Sequence, residues 1–312
     1  MRYLFIAEKP SLMRAVQACY KNNSSKVKAA VGGIDFTALA GHVCELYKPV
    51  DYEEGEGTKW KDIQYPVIPR EWKIKGKQDK KDILNRIRNS IRNYDGIIVG
   101  TDSDIEGYGI YWMLEHYLHL ERYKTLRFVE HSLTEKEILQ SLLSMTDYHN
   151  DPVHVALSNA YLVRSRADWL FGMNCTMMMS YKKNVTLRVG RVKAATLGIV
   201  YNNSLAIENF KPEKYYQVQA DYGNFKANLL NPDTAVAQFK KPPATNQFPL
   251  DGTVKVKKTR RSYEHAPKLF DLTTLQAEAG RVFGYTPAHT MEIVQNLYEK
   301  HKVISYPRTQ CR

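Results

Sequence analysis

"GIIVGTDSDIEG", Gly96–Gly107, is the stretch that decides the fold. Its first half is a short apolar run bounded by glycines, the pattern of a strand buried on both faces. Its second half sets carboxylates at alternate positions, Asp102, Asp104 and Glu106, directly beyond that run. Three like charges this close repel, so a cation must sit between them or one of them must hold a proton. The N-terminus repeats the arrangement: "YLFIA" (Tyr3–Ala7) is apolar and Glu8 and Lys9 follow it. In an open α/β sheet, sites lie at the carboxyl ends of strands, so both acidic positions are expected at one end of one sheet. Glu8, Asp102, Asp104 and Glu106 together suit a hard divalent cation, Mg²⁺ held partly through water. Glu8, crowded by the other acids, is alternatively the protonated member and a general acid.

An EF-hand is excluded. "DSDIEG" matches the opening of that calcium loop, but Met113 stands where its bidentate Glu belongs, and a strand precedes it. A plain solvated turn, its acids favouring the start of a helix, is the other reading of these residues taken alone.

Working outward, "PSLMRAVQACY" reads as a helix with Leu12, Val16 and Cys19 on one face and Ser11 as its cap. "AVGGIDFTALAGHVCEL" (Ala30–Leu46) has the glycines and alternation of a hairpin, and "DYEEGEGTKWKD" is a polar loop. "KDILNRIRNSIRNY" is an amphipathic helix with Ile83, Ile87 and Ile91 inward, and "YGIYWMLEHYL" a helix with Ile110, Leu114 and Leu118 on one stripe. "LRFVEH" is a third strand, and Thr134 with Glu137 forms a capping pattern before a further helix. Alternating strands and helices imply an α/β domain with a largely parallel sheet over residues 1–150. A helical segment is expected over 151–210 and a β-rich one over 211–265, including "YYQVQADYGNFKANLL" and "TVKVKKTRRSY". Residues 266–312 turn helical again, with a glycine C-cap after "DLTTLQAEAGRVF".

The 312 residues carry 45 Lys and Arg against 33 Asp and Glu, a net charge of +12, which favours a polyanionic partner such as nucleic acid. The four cysteines are scattered and form no Cys-x-x-Cys pair, so a zinc knuckle is excluded and a reducing cytoplasm is expected. No apolar run is long enough for a signal peptide or membrane span. There is no Walker A motif. "LRVGRVKAATLGIV" gathers Arg188, Arg191 and Lys193 around a glycine and could contact phosphates, or is simply an exposed helix start. Arg164 and Arg166 with Asp168 read as a helix-surface ion pair, and Tyr215 and Tyr216 as core or strand residues. In "YPRT", Tyr306 precedes proline and is biased toward extended backbone.

Taken in order, "IAEKPSLMRAV", "TDSDIEG", "HSLTEKEI", "RADWLFGMNCT", "VGRVKAATLGIV", "ENFKPEKYY", "LFDLTTLQAEAGRVFGYT" and "QNLYEKHKVISYPRTQCR" resemble the type IA DNA topoisomerases, closest to the topoisomerase III branch. The resemblance implies a TOPRIM domain, then a helical DNA-binding segment, a partial β-rich arch and the start of the domain bearing the nucleophilic tyrosine. It implies Tyr306 as nucleophile with Arg308 beside it, and Glu8 and Lys9 as the acidic and basic residues of the first TOPRIM strand. It implies Mg²⁺ at Asp102, Asp104 and Glu106 and contacts to DNA from Arg164, Arg166, Arg188, Arg191 and Lys193. The implied activity is ATP-independent cleavage of single-stranded DNA through a 5′-phosphotyrosyl link by a monomeric isomerase, with RNA as a further substrate to test. Departures from the family pattern are Ile105 for Arg, Tyr108 for Glu, Met177 for Arg, Lys193-Ala194-Ala195 for Gln-Thr-Pro, and Gln310 for Asp. The family extends well past the tyrosine, so the expectation is a fragment, a split gene product working with a separate C-terminal fragment, or a decayed copy. A DNA-binding remnant without catalysis, and a TOPRIM nuclease or primase, remain as rival readings.

Overall fold

The computed structural model describes residues 1–52, 62–231, 233–244, 253–254 and 256–308. Residues 53–61 of the polar loop expected over 51–62, much of the loop before Thr253, and Gln310 lie outside the described residues. The chain divides into two compact units, residues 1–193 with 267–312, and residues 194–266.

The first unit opens with β1 (Arg2–Ala7), α1 (Pro10–Asn22), α2 (Ser24–Ala30) and β2 (Gly33–Ala38), then β3 (Cys44–Leu46) and β4 (Ile74–Gly76). It continues through α3 (Lys81–Ser90), β5 (Gly96–Gly100), α4 (Ile105–Leu118), β6 (Lys124–Arg127), α5 (Glu135–Leu143), β7 (Thr146–Asp147) and the long α6 (Pro152–Lys183). The main sheet has the order β2-β1-β5-β6-β7. β2, β1, β5 and β6 are parallel, and β7 runs antiparallel against β6. The chain first builds outward from β1 to β2, then returns to the other side of β1 with β5. The order therefore reverses between β1 and β5, and a crevice opens at their carboxyl ends.

The expected hairpin over Ala30–Leu46 does not form. β2 joins β1 in parallel through the crossover α1–α2, and β3 pairs instead with β4 in a separate antiparallel ribbon. Alternation reports only that one face is buried; it cannot tell a hairpin from a crossover strand. Ser11 lies inside the first turn of α1, whose N-cap is Lys9. Thr134 stands at the N-cap of α5 but makes no side-chain capping bond.

Alternate residues of the central strands feed two cores. Leu4, Ile6, Ile97 and Val99 pack with Leu84 and Ile87 of α3 and with Ile110 and Leu114 of α4. Tyr3, Phe5, Ala7 and Ile98 pack with Leu12 and Val16 of α1 and Ile138 and Leu142 of α5. Each such fully buried side chain contributes roughly 1.5–3 kcal/mol, and Ile98→Ala would cost about 2–5 kcal/mol. α4 is buried on more than its predicted stripe, because α6 covers it: Tyr108, Tyr111, Met113 and Glu115 are also inside. Gly109 permits this approach, since a Cβ there would lie 2.1 Å from the Tyr161 ring.

Residues after α6 turn back at Asn184 in left-handed conformation, and the Val189 N–H donates to Thr176 Oγ1 at 2.9 Å. α7 (Arg191–Glu208) begins here. The second unit holds most of α7 and the short hairpin of β8 (Gln219–Asp221) and β9 (Lys226–Asn228). "TVKVKKTRRSY" forms no strand among its described residues. Tyr215 is exposed and Tyr216 is bridged to Phe239, so neither is a core residue. α8 (Leu272–Phe283), capped by Asp271 and closed by Gly284 at φ 70°, and α9 (Pro287–Asn296) return the chain to the first unit. No described helix is long and apolar enough to cross a membrane.

Candidate active site

Ala7 and Gly100 are register partners at the ends of β1 and β5, so the residues that follow enter the crevice side by side. The Glu8 N–H donates to the Gly100 carbonyl at 3.2 Å, and the Asp102 N–H donates to Glu8 Oε2 at 3.1 Å. Both side chains are buried. Burial, and then the charge of Asp102, raise the Glu8 pKa above the usual carboxylate value. Lys9 Nζ sits 2.7 Å from Asp102 Oδ2. Burial works to lower the Lys9 pKa, but the charge and hydrogen bond of Asp102 outweigh it and the net shift is upward. The two neighbours are thus driven to opposite uses: Glu8 toward holding a proton, Lys9 toward holding a charge.

Asp104 uses its two oxygens differently. Oδ1 accepts the Gly107 N–H at 2.8 Å and caps α4. That turn requires glycine, because a Cβ at Gly107 would lie 2.1 Å from the Asp102 carbonyl oxygen. Oδ2 faces Tyr306. The tyrosine arrives after α9 through one wide turn, Leu297–His301, and its N–H donates to the His131 carbonyl at 2.9 Å. Its ring lies edge-on to Tyr298, centroids 5.6 Å apart, within the second core. Its Oη is 3.1 Å from Asp102 Oδ2 and 2.8 Å from Asp104 Oδ2. A phenol has one hydrogen to donate, so only one of these oxygens can be satisfied by it at a time. Burial first, then Asp102 and Asp104, hold the Tyr306 pKa far above the ordinary phenol value. Arg308 Nη1 reaches the same Asp104 oxygen at 3.5 Å.

Glu106, on the first turn of α4, pairs with Arg164 of α6 and lies 3.5 Å from His42. Among the described residues, no three carboxylate, imidazole or thiol groups already converge as a metal cage. Cationic side chains stand against the acids instead: Lys9 on Asp102, Arg308 on Asp104, Arg164 on Glu106. The donors are nonetheless all hard oxygens, and Asp102 Oδ2 and Asp104 Oδ2 converge on one point, the Tyr306 hydroxyl. The residues therefore fit Mg²⁺.

The Toprim domain family matches residues 3–131, and the family described as DNA topoisomerase matches residues 152–312. The chain belongs to the DNA topoisomerase family. DNA topoisomerase 3 of Vibrio cholerae is 28% identical over 340 residues, covering 100% of this chain and 52% of the relative. The Haemophilus influenzae protein of the same name is 28% identical, covering 99% of this chain and 52% of its own length. The Bacillus cereus one is 30% identical, covering 98% and 42%. The chain thus spans about half the length of the relatives it matches. In fold it is similar to full-length topoisomerase I from Thermotoga maritima, with a TM-score of 0.61, 19% identity, and coverage of 97% of this chain and 48% of that one.

In this topoisomerase chain the five basic candidates separate. Arg164 stands at the carboxylate site through Glu106. Arg166 lies over the Trp72 ring at 5.4 Å. Asp168, expected as their partner, pairs with Arg191 at 2.8 Å instead, because the chain folds back along α6 and brings Arg191 beside it. Arg188, Arg191 and Lys193 line an open cavity of 560 Å³ with Asp168, Trp169 and Thr176. Three further residues were not singled out from sequence. His42 is near Glu106, its pKa lowered by burial and then by Lys77. Arg127 is buried, donates to the Val99 and Asp102 carbonyls at 2.8 and 2.9 Å, and lies 4.6 Å from the Tyr108 ring centroid. Glu130 is fully buried beside Ser103, and burial pushes its carboxyl up to about 8. A charge inside the apolar run "LRFV" was the available signal for Arg127.

Proposed function

We propose that this chain carries the strand-cleaving centre of a type IA topoisomerase acting on single-stranded DNA. The observation that supports it is the convergence of Tyr306 Oη on Asp102 and Asp104, residues some 200 positions away in sequence. Tyr306 attacks a backbone phosphorus. The new Tyr–O–P bond replaces the P–O3′ bond, giving a 5′-phosphotyrosyl link and a free 3′-OH, so no bond energy is lost and no ATP is needed. The phenol proton passes to the carboxylate it already faces, Asp104. Glu8, whose raised pKa favours the protonated form, supplies a proton to the leaving 3′ oxygen. Lys9, whose raised pKa keeps it charged, and Arg308 stabilise the phosphate oxygens. Mg²⁺ held by Asp102, Asp104 and Glu106 would supply further charge neutralisation at that phosphate.

The docked tyrosine is a resting arrangement, since anionic neighbours oppose its ionisation. Neutralising those carboxylates removes part of that opposition, which couples cation and phosphate binding to nucleophile activation. The cavity beside Arg188, Arg191 and Lys193 is the proposed path of the strand, with Arg164 at the cleavage point. The four-part division at about residues 150, 210 and 265 is retained as the domain proposal, together with a monomeric, cytoplasmic protein. Strand passage is proposed to need sequence that the relatives possess beyond this half, supplied as a separate fragment or in a longer chain.

The test incubates labelled single-stranded DNA with Mg²⁺ and resolves products on a denaturing gel. Protein-linked DNA with free 3′-OH ends is expected. Free 5′-phosphate ends without an adduct would favour the nuclease reading, and binding with neither product the non-catalytic one. A parallel incubation with single-stranded RNA reads substrate preference.

A further inference from the structure

Glu130 is a buried carboxyl with no part in the chemistry above. It follows β6, is 1% exposed, and accepts a hydrogen bond from Ser103 Oγ at 3.0 Å. Ser103 is the residue between Asp102 and Asp104. The other Glu130 oxygen, Oε1, and the Nε of buried Arg127 have no hydrogen-bond partner among the described residues. Arg127 meanwhile holds the Asp102 carbonyl. The next residue, His131, gives its carbonyl to the Tyr306 N–H. One short segment therefore touches both halves of the site: the carboxylate loop through a side chain and the tyrosine through the backbone. A buried carboxyl with an unpaired oxygen costs stability unless something offsets it, so its retention here calls for a role.

We infer that Glu130 is a positioning residue that sets the Asp102–Ser103–Asp104 loop through Ser103, holding the two carboxylates at the spacing one cation and the Tyr306 hydroxyl share. This rests on the proposed metal reading of that loop. Outer hydrogen-bond partners of metal-binding side chains typically change metal affinity by about 10–100-fold when removed. Glu130 has to accept a hydrogen bond for this, which an amide also does and an apolar side chain does not.

The experiment is calorimetric titration of the purified chain with MgCl₂. Ser103→Ala and Glu130→Leu should each weaken Mg²⁺ binding about tenfold, and the double variant should be no weaker than either single one, because both remove the same bond. Glu130→Gln should stay within about threefold of wild type, since its amide oxygen still accepts from Ser103. Ser103 is half-buried in a turn, so its variant folds even if Glu130→Leu does not. Wild-type affinity in Ser103→Ala, or a full tenfold loss in Glu130→Gln, overturns the inference. An Asp102→Asn/Asp104→Asn variant tells the two readings apart. If it binds Mg²⁺ as wild type does, the metal reading falls and takes this one with it. If it does not bind while Ser103→Ala and Glu130→Leu bind normally, only the role of Glu130 falls.

Discussion

The end of the sheet and the segment bearing Tyr306 contribute atoms to one site, yet they are held by different means. Asp102 follows a strand buried at every residue, paired on both sides, with the Arg127 guanidinium fastened to its carbonyl. Tyr306 is also buried in the second core, but its position adds a backbone hydrogen bond, an edge-on contact with Tyr298 and a phenol shared by two carboxylates. Three residues earlier Val303 is 68% exposed. The first region is built by apolar burial, which ligands do not alter. The second adds to its apolar burial a neutral hydroxyl meeting anions, an interaction that changes when those anions are neutralised. The proposed nucleophile, which has to be released and returned, suits the second kind of attachment; the proposed metal platform suits the first.

The most severe break of this comparison is Tyr306→Phe. The ring and its packing against Tyr298 stay, the hydroxyl goes, and covalent adduct should fall below detection while single-stranded DNA binding changes by less than about twofold. Adduct surviving in Tyr306→Phe would remove the tyrosine from the chemistry. Next comes the platform. Asp102→Asn/Asp104→Asn relieves like-charge repulsion and preserves the cap on α4, because Asn caps a helix as Asp does. Thermal melts with and without Mg²⁺ should show wild type stabilised by the ion and this variant unaffected by it. Asp104→Ala, by contrast, should lose about 1 kcal/mol from the missing cap even without Mg²⁺.

A smaller effect is read through pH. The Glu130 carboxyl ionises near 4.5 in the unfolded chain and about 8 in the folded one. The folded state therefore keeps this proton longer, and the stability it contributes is full below the unfolded value and is lost as pH rises through about 8. Denaturant midpoints should fall from about pH 5 to about pH 9, and Glu130→Gln should flatten that fall. Glu8, also raised, bends the profile the same way. The smallest change expected is Arg308→Lys. The cation is retained but its fork is lost, so adduct formation should slow about tenfold with no measurable change in the melting temperature.

Much of the platform was legible in the primary structure, because its signals are local. Apolar runs of strand length ending in acids mark where strands stop, and a parallel sheet sends strand ends to one side. The faces of α1 and α3 were readable from helical spacing for the same reason. Elsewhere local pattern carried less information than it appeared to: the alternation of Ala30–Leu46 belonged to a crossover strand, and that of "TVKVKKTRRSY" to no strand among its described residues.

What the sequence by itself determined is thus the α/β platform, the acids at its edge, and, through the ordered series of motifs, the family. What only the tertiary structure decided is who meets whom: Tyr306 on Asp102 and Asp104, Arg164 on Glu106, Arg191 on Asp168, Ser103 on Glu130. The physical reason is range. Strand and helix patterns repeat over a few residues and can be counted along the chain, whereas a hydrogen bond between residues 204 apart forms only after two cores have packed around it.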